Sequence, residues 1–149
     1  MKDYWRNLGG VLFLAAVFLG ACTLAILQVS VPGRVPVLVY HCVGDNSSAP
    51  AGDALYVSER TFARQMAFLR HMGYQPVFAG ALKETLPRRA IVITFDDGYA
   101  NNGSMALPIL QRYGMKATIF TVGADNDRRR PGRLTWEEMR QMEASGLVE

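Results

Sequence analysis

The run Ala90–Phe95, AIVITF, limits the fold more than any other stretch of this 149-residue sequence. It is almost continuously apolar and rich in β-branched residues. Arg88 and Arg89 precede it, and Asp96, Asp97 and Gly98 follow. A strand with one solvated face alternates apolar and polar residues, so a run of this kind is buried on both faces. Such strands belong to parallel sheets, and each parallel pair needs a crossover connection, usually a helix.

The rest of the sequence supplies those crossovers. VPVLVY (Val35 to Tyr40) reads as a strand, with Pro36 near its start, where strands tolerate proline. HCVGDNSSAPAGDA has the composition of a loop. From Ser58 to Met72 the pattern is helical: Phe62, Met66 and Leu69 fall at i, i+4 and i+7, Ser58 suits the cap and Gly73 the end. QPVF is a short strand, and Ala79 to Leu86 a short helix. Ser104 to Tyr113 reads as a helix stopped by Gly114, and Lys116 to Val122 as a strand. TWEE (Thr135 to Glu138) matches a capping box, opening a helix that runs to about Ser145 with Gly146 just past its end. Strand and helix alternate throughout, which predicts an α/β fold with a parallel sheet, either a barrel or a doubly wound sheet. LVE at the end of the sequence starts another strand with no crossover helix after it. The expectation is therefore a fold incomplete at its C-terminus, and a chain that is a fragment of a longer protein.

The N-terminus is a different kind of sequence. From Leu8 to Val29 there are 22 residues without a charge. As a helix this run reaches about 33 Å, against a bilayer core of about 30 Å. Lys2 and Arg6 precede it, so the positive-inside rule sets the N-terminus in the cytoplasm and the remainder outside. An uncleaved anchor is the first reading, because the run is longer than a signal-peptide core. A cleaved signal peptide is the second. A lipoprotein signal is the third, because LGAC (Leu19 to Cys22) has the form of a lipobox; against it, TLAILQV after Cys22 stays apolar. No polar face exists at helical spacing, which argues against a buried amphipathic helix. The expected organisation is an anchor or signal segment over residues 1–31 and a folded domain over residues 32–149.

Charge and cysteine content exclude some functions. Without Lys2, Arg6 and Asp3 the sequence keeps 14 basic and 12 acidic residues, a net charge of +2. That is no nucleic-acid footprint. The basic cluster Arg128 to Arg130 with Arg133 lies in DNDRRRPGR, read as a solvated, turn-rich loop. Cys22 lies inside the apolar run and Cys42 outside it, which argues against an internal disulfide.

In parallel α/β folds reactive groups collect at the C-terminal ends of strands, and Asp96 and Asp97 stand at such an end. Adjacent carboxylates repel one another, and a divalent cation relieves the conflict. One acid would then ligate the metal while the other serves as general base towards a metal-bound water, with Gly98 allowing the tight turn. A plain Asp-Asp-Gly turn after a strand is the alternative on these residues alone. There is no G-x-S-x-G elbow and no P-loop.

TFDDG (Thr94 to Gly98) resembles the first motif of the polysaccharide deacetylase family, the metal-dependent carbohydrate esterases. VPVLVYHCVG resembles that family's first strand, and TFARQMAFLRHMGYQPV its first helix and second strand. FDDGYANNGSMALPILQRYGMKATIFTVG and LTWEEMRQMEASGLVE follow in the family's order. The similarity spans nearly all of Val35 to Glu149, and an ordered series of this length is far more specific than one turn. It implies a distorted (β/α) barrel and hydrolysis of N-acetyl groups on an extracytoplasmic glycan such as poly-N-acetylglucosamine, peptidoglycan or chitin. By the same resemblance Asp96 is the general base, Asp97 a metal ligand and zinc the most frequent metal.

The sequence departs from the family pattern in one respect. The resemblance implies two further ligands, histidines of an H-[ST]-x-x-H motif that follows a segment like SGLVE, and a late catalytic histidine; none of these occurs up to Glu149. The histidines present are His41, at the end of the first strand, and His71, inside the first helix. Neither has the ligand spacing. The expectation is that these 149 residues alone bind metal poorly and are weakly active or inactive. Two rivals stand beside this reading. One is a non-catalytic carbohydrate-binding or degenerate deacetylase-like membrane protein. The other is a glycoside hydrolase on a similar barrel, which needs two carboxylates about 5 to 9.5 Å apart across a cleft rather than adjacent in one strand.

Overall fold

In the computed structural model the buried run folds as the body of one long strand, and the remaining elements are arranged around it. The structure describes residues 34–44 and 55–149. The run Leu8–Val29 and Cys22, which carry the anchor, signal-peptide and lipoprotein readings, lie outside the described residues, as do residues 45–54. The strands are β1 (Val37–Tyr40), β2 (Cys42–Val43), β3 (Tyr56–Val57), β4 (Gln75–Val77), β5 (Ala90–Asp97) and β6 (Thr118–Thr121). The helices are α1 (Glu59–His71), α2 (Leu107–Tyr113), α3 (Gly123–Asp127) and α4 (Trp136–Glu143).

Every strand pairing is parallel. Val92 of β5 is opposite both Val37 of β1 and Val77 of β4; Thr94 is opposite both Val39 of β1 and Thr118 of β6. So β1 takes one edge of β5, and β4 and β6 share the other in succession. Both edges of the central strand are hydrogen-bonded, and its residues Ala90 to Phe95 are buried. Residues 147–149 extend the sheet beyond β6: Ala117 N–H donates to the Leu147 carbonyl and Ile119 N–H to that of Glu149, each at 2.9 Å. The strand expected at LVE is therefore present as a paired segment. Among the described residues the order β1–β5–β6–(147–149) is an open arc, with no pairing that closes it into a barrel.

One face of this sheet carries the core. Phe95 packs with Tyr40 of β1 and Phe62 of α1, the ring centroids 5.0 to 5.7 Å apart. Met66 and Leu69 continue the buried stripe of α1, and Ile109 and Leu110 of α2 complete the layer. The caps are those expected. Ser58 Oγ accepts from Thr61 N–H at 3.2 Å, and Thr135 and Glu138 form the reciprocal capping box of α4.

Three expectations need correction. The short helix expected over Ala79 to Leu86 is a 3₁₀ helix limited to Ala79–Lys83, not an α-helix. It has no buried residue to pack, it contains Gly80, and a segment this short does not hold an α-helix unaided. The turn is pinned instead by side chains from the sheet: Ala79 N–H donates to Thr118 Oγ1 at 2.9 Å, and Gly80 N–H donates to Glu149 Oε1 at 3.0 Å. The helix read from Ser104 begins two residues earlier as a π-helical turn, Asn102–Ala106, and becomes α-helical at Leu107. DNDRRRPGR is not one loop, because α3 covers Gly123–Asp127 and its Asn126 is buried at 2% exposure.

β5 also runs further than its apolar residues, taking in both acids and ending in two consecutive left-handed residues, Asp97 (φ +66°) and Gly98 (φ +63°). Only glycine occupies the second of these without strain. A Cβ there would meet Thr121 Oγ1 at 2.7 Å and Thr121 Cβ at 3.1 Å. Gly98→Ala should therefore lower stability by about 2 kcal/mol or more, read as a shift of the urea midpoint at constant slope.

Tyr40 sets a pH limit on the core. Burial raises its phenol from 10.0 to about 12, and its hydroxyl donates to Gln65 Oε1 at 2.9 Å. Below pH 10 both states keep the proton; between pH 10 and 12 the unfolded chain loses it first, so the contribution to stability is lost as pH rises. Across that interval the wild type should lose about 2 kcal/mol more than Tyr40→Phe in parallel urea titrations.

Candidate active site

The two acids project from a strand, and successive strand side chains point to opposite faces. Phe95 faces the core, so Asp96 lies on the other face, directly across from Phe120 of β6, while Asp97 is opposite Thr121. That second face is the open one. Val37, Val39 and Phe120 are about half exposed on it, while Val92 and Thr94 are buried beside them. Asp96 and Asp97 are themselves half-buried, at the C-terminal end of the central parallel strand. The sequence placed the backbone reversal at Gly98; the structure begins it at Asp97, and this takes the two neighbouring carboxylates out of simple alternation.

Their surroundings differ. Arg133, whose side chain is only 13% exposed, reaches Asp97 through Nη1: it donates to the Asp97 carbonyl at 3.2 Å and lies 3.9 Å from Oδ2. Its Nε is 3.5 Å from Asp125 Oδ2, and its guanidinium lies over the Tyr99 ring, 3.7 Å from the centroid. Arg130 completes the series at 3.1 Å from Asp125 Oδ2. Among the described residues no cation is paired with the Asp96 carboxylate.

A second set of contacts holds this turn from beneath. Thr121, whose side chain fills the space beside Gly98, bonds through Oγ1 to Asn126 Oδ1, and Asn126 Nδ2 donates to the Leu134 carbonyl. Leu134 N–H returns to the Gly98 carbonyl at 2.8 Å, and Ala100 N–H to that of Gly132 at 2.9 Å. Beyond the turn Asn102 is 1% exposed with neither amide atom paired, at the start of the π-helical turn. Both features are unusual in ordinary packing and frequent near functional sites.

The donors present among the described residues do not converge on the metal expected at Asp97. Among the described residues no group of three or more His, Cys, Asp and Glu side chains converges as a metal site. Asp97 stands beside a guanidinium, His71 is exposed at the last position of α1, and His41 lies half-buried between β1 and β2. The described residues alone therefore do not fit a three-ligand divalent site. Arg133 was missed by the sequence reading. The run Arg128–Arg130 concealed it, yet its position between Gly132 and the apolar Leu134 distinguishes it from the other three.

A family model for polysaccharide deacetylase matches residues 83–149. YxkH of Bacillus subtilis (strain 168), which carries the same family name, is 33% identical over 131 residues, covering 84% of this chain and 44% of that protein. The poly-β-1,6-N-acetyl-D-glucosamine N-deacetylase of Escherichia coli (strain K12) is 35% identical over 125 residues, 70% of this chain and 19% of that enzyme. The chain thus spans less than half the length of these curated relatives. Among solved structures, the Streptococcus pyogenes deacetylase PplD in complex with acetate superposes with a TM-score of 0.68 at 25% identity, over 74% of this chain and 52% of that one. Sequence order, parallel fold and the acid pair at the mouth of the central strand agree with these matches, and the chain belongs to the polysaccharide deacetylase family.

Proposed function

We propose that the protein hydrolyses N-acetyl groups on an extracytoplasmic polysaccharide, with poly-N-acetylglucosamine as the first candidate and peptidoglycan or a chitin-like glycan as the others. The observation that carries this reading is Asp96: a half-buried carboxylate with no paired cation among the described residues, on the open face at the C-terminal end of the central strand. In amide hydrolysis it would act as general base, taking a proton from the water that attacks the acetyl carbonyl. The relatives support the substrate class, since one is named for deacetylating poly-β-1,6-N-acetyl-D-glucosamine and another was solved with acetate, the product of such a reaction.

Members of the family are metal-dependent in general. In our reading the metal is zinc, and Asp97 is the donor that the described residues contribute towards it. They do not complete the set, and no step is derived through the ion. The barrel of the family is likewise a proposal for the whole protein, as is retention at the membrane with the domain outside. The charge-free run Leu8–Val29, with Lys2 and Arg6 before it, supports the membrane reading. Among the described residues no helix is long and apolar enough to cross a membrane.

Acetate release from N-acetylglucosamine oligomers by the full-length protein is the direct test, because the 149 residues alone are expected to be weakly active or inactive. Asp96→Asn should lower kcat by about 10²- to 10⁴-fold, the usual contribution of a positioned general base. Oligomer binding with no acetate release from the wild type would replace this reading with that of a non-catalytic carbohydrate-binding protein, and an undiminished rate in Asp96→Asn would remove Asp96 as the general base.

A further inference from the structure

We infer that Arg133 is a positioning residue for the acid pair: its guanidinium holds the left-handed Asp97–Gly98 reversal in place and thereby fixes where both carboxylates stand. The inference rests on the reading of Asp96 and Asp97 as the reacting end of the site, but its geometry is independent of that reading.

Asp97 is one of only two non-glycine residues in the left-handed region among the described residues, and the other, Arg129, lies in a fully exposed turn. A left-handed backbone is disfavoured for a non-glycine residue, so such a residue persists where its surroundings impose it. At Asp97 the imposing group is Arg133. It donates to the backbone carbonyl of Asp97 itself, a bond that depends on the orientation of that peptide and not merely on charge. It then reaches the carboxylate of the same residue at 3.9 Å.

Arg133 is held in turn on three sides. Asp125 takes its Nε, Tyr99 supports the flat face of the guanidinium, and the Tyr99–Arg133 backbone bridge fixes its Cα. A planar fork with donors on several edges and a stacking face can make all these contacts at once; an ammonium cannot. The side chain is 13% exposed, which leaves it no role as a free surface charge. The segment Arg130–Leu134 thus acts as a brace across the turn, and Arg133 is the only side chain in it that bonds to either acid.

The test combines hydrogen exchange with kinetics on the full-length protein. Arg133→Ala should accelerate amide exchange about tenfold or more in the peptide Phe95–Asn102, while the peptide Phe62–His71 of α1 stays unchanged. In acetate release kcat should fall about tenfold or more with KM nearly constant, since a displaced base is lost in the reaction step and not in binding. Millimolar guanidinium, but not ammonium, should restore both the exchange protection and kcat, which a merely structural arginine would not show. If Arg133→Ala does not fold, Arg133→Lys replaces it, with the same local acceleration expected. Unchanged exchange in Phe95–Asn102, or equal acceleration in both peptides, overturns the inference. If the local exchange responds and guanidinium reverses it while the wild type releases no acetate, the positioning role stands and the deacetylase reading fails.

Discussion

The fold depends on burying one strand completely. β5 carries a peptide run with no polar side chain other than Thr94 into the middle of the sheet, and that is possible only because partners take up the backbone groups on both edges. β1 supplies one edge along Val92 to Phe95; β4 and β6 divide the other between them. Each partner is parallel, so each requires a return path across the sheet, and α1 and α2 are the return paths whose apolar stripes cover Phe95, Ile93 and Ile91. The same constraint decides where the strand stops. Ionised carboxylates are not buried without partners, so the strand ends with Asp96 and Asp97, half-buried, and the chain turns out of the sheet at the Asp97–Gly98 reversal. The site is in this sense the boundary of the core, set by the point at which burial becomes too costly.

Much of this was legible in the residues. The doubly buried run, the stripe Phe62, Met66, Leu69, the Ser58 and Thr135 caps and the terminating glycines 73, 114 and 146 are short-range signals, each with a local cause, and all are found in place. The composition of Ala79 to Leu86 permits a helix; what fixes it as a short 3₁₀ helix is Thr118 and Glu149, remote in sequence. No periodicity announces a contact of that kind. The open sheet edge has the same origin. A strand sequence does not state how many neighbours close the ring, and pairing among the described residues stops at 147–149.

The least legible part of the site lies in α3 and the turn after it. Four arginines within six residues have the composition of a solvated loop, and three of them are exposed as that composition suggests. Arg133 differs because Leu134 beside it enters the core and Asn126 anchors the Leu134 carbonyl. An apolar neighbour pulled inwards brings the arginine with it, and its stem then packs while its head finds carboxylates. Asn126 is equally hidden from a sequence reading, since nothing local shows that a buried amide will join the end of β6 to the chain before α4.

Two adjacent carboxylates are chemically alike, and their neighbours make them different. Along Asp97, Arg133, Asp125 and Arg130 charges alternate in sign, so within that chain each acid has a cation beside it. Asp96, one peptide unit away, is paired with no cation among the described residues and stands outside that series. Asp97 is therefore electrostatically compensated and conformationally fixed, while Asp96 remains a carboxylate with open acceptor capacity at the open face. For an ion to be held by Asp97, it must compete with a guanidinium that Asp125 is ready to retain, so Arg133 would be released from one acid without losing the other. The difference between a cation-paired acid and an unpaired one is thus already present in the backbone and its arginine, and the proposed division of labour between the two carboxylates starts from that difference.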